Sequence, residues 1–223
     1  MKLHLLAAAA LAALATVTTL PAQAVLVDNA AAIAGPTELV DFEAFDGLLT
    51  SGPVAVAPGV IFTGDSEAEL GANNRVLYDN GLWGGLGNLF AAGGTAGELR
   101  FTFANGLSAG AGAFVNHAAF DALVSLYGAA PLQIEISAYG DNNQIIETHA
   151  FSVDTDALDY NEGQFLGITR AQADIRSIAF KGVGVVADNL SFTTPVPEPE
   201  SYALMMAGLA ALGFMVSRRR KPD

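Results

Sequence analysis

The chain has 223 residues, no cysteine, and 23 acidic against 10 basic side chains, a formal net charge of −13. Without cysteine there is neither a disulfide framework, nor a thiolate zinc site, nor a cysteine nucleophile, so stability has to come from packing. The acidic surface repels phosphate backbones and anionic headgroups, which disfavours nucleic acid and peripheral membrane binding and leaves divalent cations and neutral sugars as compatible partners.

The first segment reads as a leader. Lys2 is a short basic start, Leu5 to Val17 is almost entirely Ala and Leu, and Pro21-Ala22-Gln23-Ala24 supplies a helix break and a small-x-small pattern. Residues 1–24 therefore read as a signal peptide cut by signal peptidase after Ala24, with Ala22 and Ala24 as its recognition pair. A buried N-terminal helix would need a polar face, and only His4, Thr16, Thr18 and Thr19 interrupt this run. Residues 25–194 then form the body, whose 170 residues suit one domain. It carries five basic and twenty acidic residues, a net of −15, which also serves to keep an exported protein soluble.

Along the body, short runs with period-two alternation read as strands: Leu39 to Phe45, Gly59 to Gly64, Arg75 to Asp79, Glu98 to Ala104, Gly112 to His117, Leu132 to Gly140, Gln144 to Val153, Phe165 to Thr169, Ile175 to Gly182 and Ala187 to Thr194. Gly, Asn and Asp clusters separate them, which is turn chemistry. The expected fold is all-β, an antiparallel β-sandwich of jelly-roll type. Only Phe120 to Gly128 competes as a helix, with Phe120, Leu123, Val124 and Tyr127 at helical spacing.

Candidate chemistry is sparse. Gly81 to Gly97 is glycine-rich, but no strand leads into it and no helix follows, so it reads as a long loop rather than a phosphate cradle. Trp83 and Phe90 within it are either an aromatic sugar platform or a plug over the core. Asp154 to Gly163 spaces acids like the opening of a calcium loop, but Leu158 stands at the third ligand position and no bidentate Glu follows, so a solvated acidic turn is expected. His117 and His149 have no metal-type spacing, and there is no Gly-x-Ser-x-Gly elbow. No catalytic set emerges.

The tail is more specific. Val196-Pro197-Glu198-Pro199 precedes an uncharged run from Tyr202 to Val216 and then Arg218, Arg219, Arg220 and Lys221. Fifteen residues of helix reach roughly 22 Å at ~1.5 Å per residue, short of a ~30 Å hydrocarbon core, so a helix over 202–217 reads as a temporary hold with its basic end cytoplasmic. Residues 195–223 resemble the PEP-CTERM sorting signal of exported proteins in biofilm-forming Gram-negative bacteria, with Leu204, Gly208-Leu209 and Leu212-Gly213 also in place. The resemblance implies an exosortase as partner, passage through the inner membrane, loss of the tail, and delivery to the cell surface or extracellular matrix.

The ends of the body are similar to jelly-roll carbohydrate-binding modules: Asp41-Phe42-Glu43 near the first clear strand and Asp188-Asn189 in the last. That likeness implies a structural calcium held by Glu43 and Asp188, chemically reasonable as a staple for a cysteine-free domain. Asp188-Asn189 is equally readable as a turn into the final strand. The function expected is a non-enzymatic surface or matrix protein associated with extracellular polysaccharide; the alternative is a secreted glycan-active hydrolase carrying the same signal.

Overall fold

A computed structural model describes residues 24–33, 35, 37–73, 88–94, 97–117, 133–152, 163–193 and 205–209. In chain order its strands are β1 (Ala24–Val27), β2 (Thr37–Val40), β3 (Leu48–Leu49), β4 (Val54–Ala57), β5 (Val60–Gly64), β6 (Glu69–Ala72), β7 (Phe90–Ala92), β8 (Glu98–Phe103), β9 (Gly110–His117), β10 (Gln133–Tyr139), β11 (Ile145–Ser152), β12 (Gln164–Arg170), β13 (Ser177–Lys181) and β14 (Val185–Thr193). They form two antiparallel sheets. The larger runs β1-β12-β9-β14-β7-β6-β3 with β2 also on β14, and the smaller runs β11-β10-β13-β8-β5-β4. This is the all-β sandwich expected from the alternation.

The alternation works by turning one face of each strand inward. In β8, Leu99, Phe101 and Phe103 are buried while Glu98, Arg100 and Thr102 face out. Phe101 lies at the centre, its ring 5.6 Å from Phe62, 5.7 Å from Phe42 and 6.5 Å from Phe180. Across the sandwich the larger sheet contributes Val185, Ala187, Leu190 and Phe192 to the same core, and Phe192 meets Phe103 at 5.0 Å. These rings sit at the offset and edge geometries that aromatic pairs prefer.

β14 departs from simple alternation, because nearly all of it is buried. Val186 faces away from the main core into a second cluster with Ala72 and Phe90, flanked by Ala92 and Phe114. One edge of β14 pairs with β9; the other is shared, Val186 and Ala187 with β7 and Leu190 to Thr193 with β2. Between the two halves the register with β9 shifts, and Asn189 takes a left-handed φ of 52°. A bulge of this kind re-aims side chains within a strand.

The first strand expected from sequence ends early. β2 stops at Val40, and Asp41 to Phe45 turn instead of continuing. Asp41 Oδ1 accepts the Glu43 amide at 3.3 Å, Phe45 N donates to Phe42 O at 3.1 Å, and Phe42 has φ 59°. Phe42 adopts that unfavourable conformation because the turn inserts its ring, 1 % exposed, against Phe101. Five strands, β1, β3, β4, β6 and β7, fall outside the sequence-based runs. The Phe120 to Gly128 segment and the Arg75 to Asp79 strand lie outside the described residues, as does all but Gly163 of the Asp154 to Gly163 turn. The expected helix over 202–217 is described only at 205–209, and among the described residues no helix is long and apolar enough to cross a membrane.

Candidate functional site

Glu43 and Asp188 do converge. The fork in β14 places Asp188 where β7 and β2 part, so the residues before β7 (Asn88, Leu89) and after β2 (Asp41 to Glu43) meet it. Glu43 Oε1 accepts the Leu89 amide at 2.9 Å. The Asp188 carboxyl accepts from the Asn189 amide at 2.7 Å and from Asn189 Nδ2 at 3.1 Å. Burial pushes this carboxyl up to about 7, and the charges of Glu43 and Asp41 add to that rise. The Asn189 backbone amide and the Asn88 side chain oppose it, the latter from a position short of a well-formed hydrogen bond.

The donor set was weighed against calcium, which takes 6–8 oxygens at ~2.3–2.6 Å. Three of the carboxylate oxygens at the seam already accept hydrogen bonds from Leu89 or Asn189. Among the described residues no group of three or more His, Cys, Asp or Glu is gathered closely enough to hold a metal ion. The seam therefore supplies the paired carboxylates of the expected site without a complete oxygen shell.

A different polar site opens on the outer face of the smaller sheet. Strand register lines up Thr148, Ser137, Ala179, Arg100 and Thr63 in one row across β11, β10, β13, β8 and β5, with Glu135, Lys181 and Glu98 in the next. Ser137 and Ala179 in this row are buried, and the Ser137 hydroxyl lies 2.8 Å from Thr148 Oγ1. Arg100 lies 3.9 Å over the Tyr139 ring and donates through Nε to Glu98 Oε1 at 2.9 Å, a stacked and paired arrangement that fixes the guanidinium. At one end Thr63, Gly64, Asp65, Glu98 and Lys181 line a cleft of about 260 Å³. Asp65 shapes its rim, Oδ1 accepting Glu67 N at 2.8 Å and Oδ2 accepting Gly94 N at 3.2 Å. A hydroxyl, two carboxylates and an ammonium in one small cleft suit a neutral polyol, since each sugar hydroxyl both donates and accepts. Sequence reading missed this cleft because its residues come from three separate segments, 63–65, 98 and 181, and only cross-strand register unites them.

The remaining expected residues are placed as follows. Phe90, read as exposed in a loop, is in β7 and fully buried, so it is a plug and not a sugar platform; the reason is that β14 needs a partner along Val186 and Ala187. His117 is buried with Nδ1 2.8 Å from the Val183 carbonyl, and His149 Nε2 lies 3.1 Å from Glu147 Oε1. Ala24 opens β1, paired with Arg170. Ala22, Trp83, Val196, Pro197, Glu198, Pro199, Arg218, Arg219 and Arg220 lie outside the described residues.

Comparison with known proteins decides the tail. Residues 195–221 match the model of the PEP-CTERM protein-sorting motif. The chain carries a PEP-CTERM sorting motif. That motif marks an exported protein, and its match begins two residues after β14 ends. No curated protein matches the chain. Among solved structures, the tandem family 51 carbohydrate-binding modules of a family 98 glycoside hydrolase from Streptococcus pneumoniae share 12 % identity at a TM-score of 0.28, over 48 % of this chain and 32 % of that one. The family 11 carbohydrate-binding module of a Clostridium thermocellum cellulosomal cellulase shares 12 % identity at 0.29, over 74 % and 98 %. The chain thus spans about a third of the first of these.

Proposed function

We propose that this PEP-CTERM protein is non-enzymatic, is processed by an exosortase at the inner membrane, and then serves at the cell surface or in the extracellular matrix of a Gram-negative bacterium by binding polysaccharide. The observation that carries the binding role is the cleft of Thr63, Asp65, Glu98 and Lys181 at the end of the polar sheet face. Its groups are pre-set by cross-strand pairing and by the Glu98–Arg100–Tyr139 stack, so little ordering cost falls on binding. The cleft is slightly smaller than the ~300 Å³ lower bound of drug-sized pockets, which suits single sugar units along an open chain.

A hydrolase is the second reading, favoured by Asp65 and Glu98 sharing one cleft, since glycosidases work with paired carboxylates. Against it, both Asp65 oxygens accept backbone amides and Glu98 is engaged by Arg100, which are positioning roles. Retardation of the exported protein in gels containing neutral polysaccharides tests both. Lys181→Ala and Glu98→Gln are expected to abolish retardation with no sugar released by any form. Release of reducing ends by the parent, lost in Asp65→Asn, establishes the hydrolase instead; equal migration of parent and both variants in every gel rejects the cleft.

A further inference from the structure

We propose that β11 is a self-pairing edge through which two copies of this chain join their smaller sheets into one. Five strands, β1, β2, β3, β4 and β11, pair along one side only among the described residues. The first four have four residues or fewer, and β4 is also closed in by Pro53 and Pro58. β11 is eight residues long, contains neither proline nor lysine, and starts at Ile145, which is 63 % exposed. Long edges without such protection are the ones that take up another strand.

The backbone fixes where a partner strand can sit. Tyr139 O accepts from Arg176 N and so points to the β13 side, while Gly140 N points the other way and donates to Gln144 O. Successive residues alternate, so Ala138, Ile136 and Ile134 turn their backbone groups to β11, where Glu147, His149 and Phe151 meet them. Thr148 and Ala150 therefore turn theirs to the open side. An antiparallel copy centred on Thr148 sets that residue opposite itself, a pair that exchanges both backbone hydrogen bonds, and sets Ala150 opposite the partner's Ile146. It also sets Glu147 opposite the partner's His149 on both sides of the axis, in the narrower position where side chains come closest.

That register selects a second copy as the partner. Glu147 and His149 lie on the core-facing side of β11, opposite Ala138 and Ile136, and charges turned inward on an edge strand ordinarily keep other strands away. Their own contact, 3.1 Å from Nε2 to Oε1, leaves the two side chains 30 % and 31 % exposed and able to take a further partner. A second copy answers each acid with an imidazole, which carries an N–H in either protonation state, and each imidazole with an acid. A strand of different sequence leaves both unanswered. Centring the pairing on Glu147 or on His149 instead sets that residue against itself. Thr148 lies on the opposite face, its Oγ1 2.8 Å from Ser137 Oγ, so a two-fold axis perpendicular to the sheet keeps both polar outer faces on one side.

The chain has no cysteine, so a single introduced one reads the register directly. A hydrogen-bonded antiparallel pair has Cα atoms ~5.5 Å apart, inside the ~4.4–6.8 Å range of a disulfide. Under mild oxidation the exported Thr148→Cys protein is expected to become a covalent dimer. Ser152→Cys is expected to stay uncrosslinked, because its two copies lie ~27 Å apart at ~3.4 Å per residue. Sedimentation of the parent between about 1 μM and 1 mM is expected to show reversible dimerisation. The salt is set at about 0.15 M, where repulsion between bodies of net charge −15 is screened beyond ~8 Å. Glu147→Lys sets a cation against the partner's His149 and is expected to weaken the dimer about tenfold or more. Exchanging the two residues, Glu147→His with His149→Glu, keeps acid opposite base and is expected to restore parental association. A parent that is monomeric throughout the range, a Thr148→Cys protein that cross-links no better than Ser152→Cys, or an exchanged pair as weak as Glu147→Lys overturns the self-pairing edge.

Discussion

Asp188 shows how one residue records several constraints. Its carboxyl, pushed up to about 7 mainly by burial, holds a proton in the folded state that it would lose near 3.8 when unfolded. The folded protein thus binds more protons between those values, so stability falls as pH rises from about 4 to about 7 and is level above that. Melting in chelator at a series of pH values should show this decline, and Asp188→Asn, which cannot ionise, should remove it. A parallel decline in parent and variant would assign the pH dependence to other groups. Calcium is tested at the same residue: if Glu43 and Asp188 hold the ion, a hundredfold excess over its dissociation constant adds ~2.7 kcal/mol, Asp188→Asn loses that response, and magnesium gives much less. Melting curves unchanged by millimolar calcium would leave the seam as a turn and bulge. The pair was named from the likeness to carbohydrate-binding modules; the fold brings the two near each other because β2, which Glu43 follows, pairs with β14, which contains Asp188. The sequence could not disclose the φ of 59° at Phe42, since a buried aromatic in that conformation is dictated by the core around Phe101 rather than by local preference.

At the scale of elements, alternation identified the strands whose two faces differ and failed where they do not. β8, β10 and β13 were legible because one face packs on the core and the other on polar neighbours. β7 was illegible: Phe90-Ala91-Ala92 sits among glycines without periodicity, and it becomes a strand only because β14 offers an unfilled edge. β4 hides between Pro53 and Pro58 for a similar reason, its strand character coming from β5 beside it. Glycine placement within strands is equally informative. Gly112 and Gly167 face each other across β9 and β12, and the Phe165 ring lies over them against Phe114 at 5.4 Å. A Cβ at Gly112 would stand 2.6 Å from Gly167 Cα and 2.7 Å from Phe165 Cζ. Gly112→Ala should therefore cost ~1–3 kcal/mol by overpacking, lowering the melting temperature by several degrees at ~2–4 °C per kcal/mol for a domain of this size. Pairing that change with Phe165→Leu should recover part of the loss; an unaltered melting temperature in Gly112→Ala would mean the ring is not seated on the glycine pair.

For the whole molecule the decisive quantity is charge, because under the proposed polysaccharide-binding role it would select among polymers before any cleft is reached. A body of net −15 repels uronate- or sulfate-bearing chains at long range, whereas neutral chains meet no such barrier. Within the cleft itself, Lys181 stands between the carboxylates of Glu98 and Glu135 on neighbouring strands, so its ammonium offers a hydrogen-bond donor rather than an uncompensated cation. The long-range and short-range effects therefore point the same way, toward neutral polysaccharide. Repulsion between exposed charges is screened with a Debye length of ~30 Å at 0.01 M and ~8 Å at 0.15 M salt. Binding to a neutral polysaccharide should accordingly be insensitive to salt over that range, while binding to a uronate polymer should be undetectable at the low end and rise, if at all, only as salt is added. Isothermal titration of the exported protein at both ionic strengths reads this directly. Tight binding to the uronate polymer at low salt, weakening as salt rises, would show that a cationic surface governs recognition and would reject both the charge argument and the cleft as the binding site.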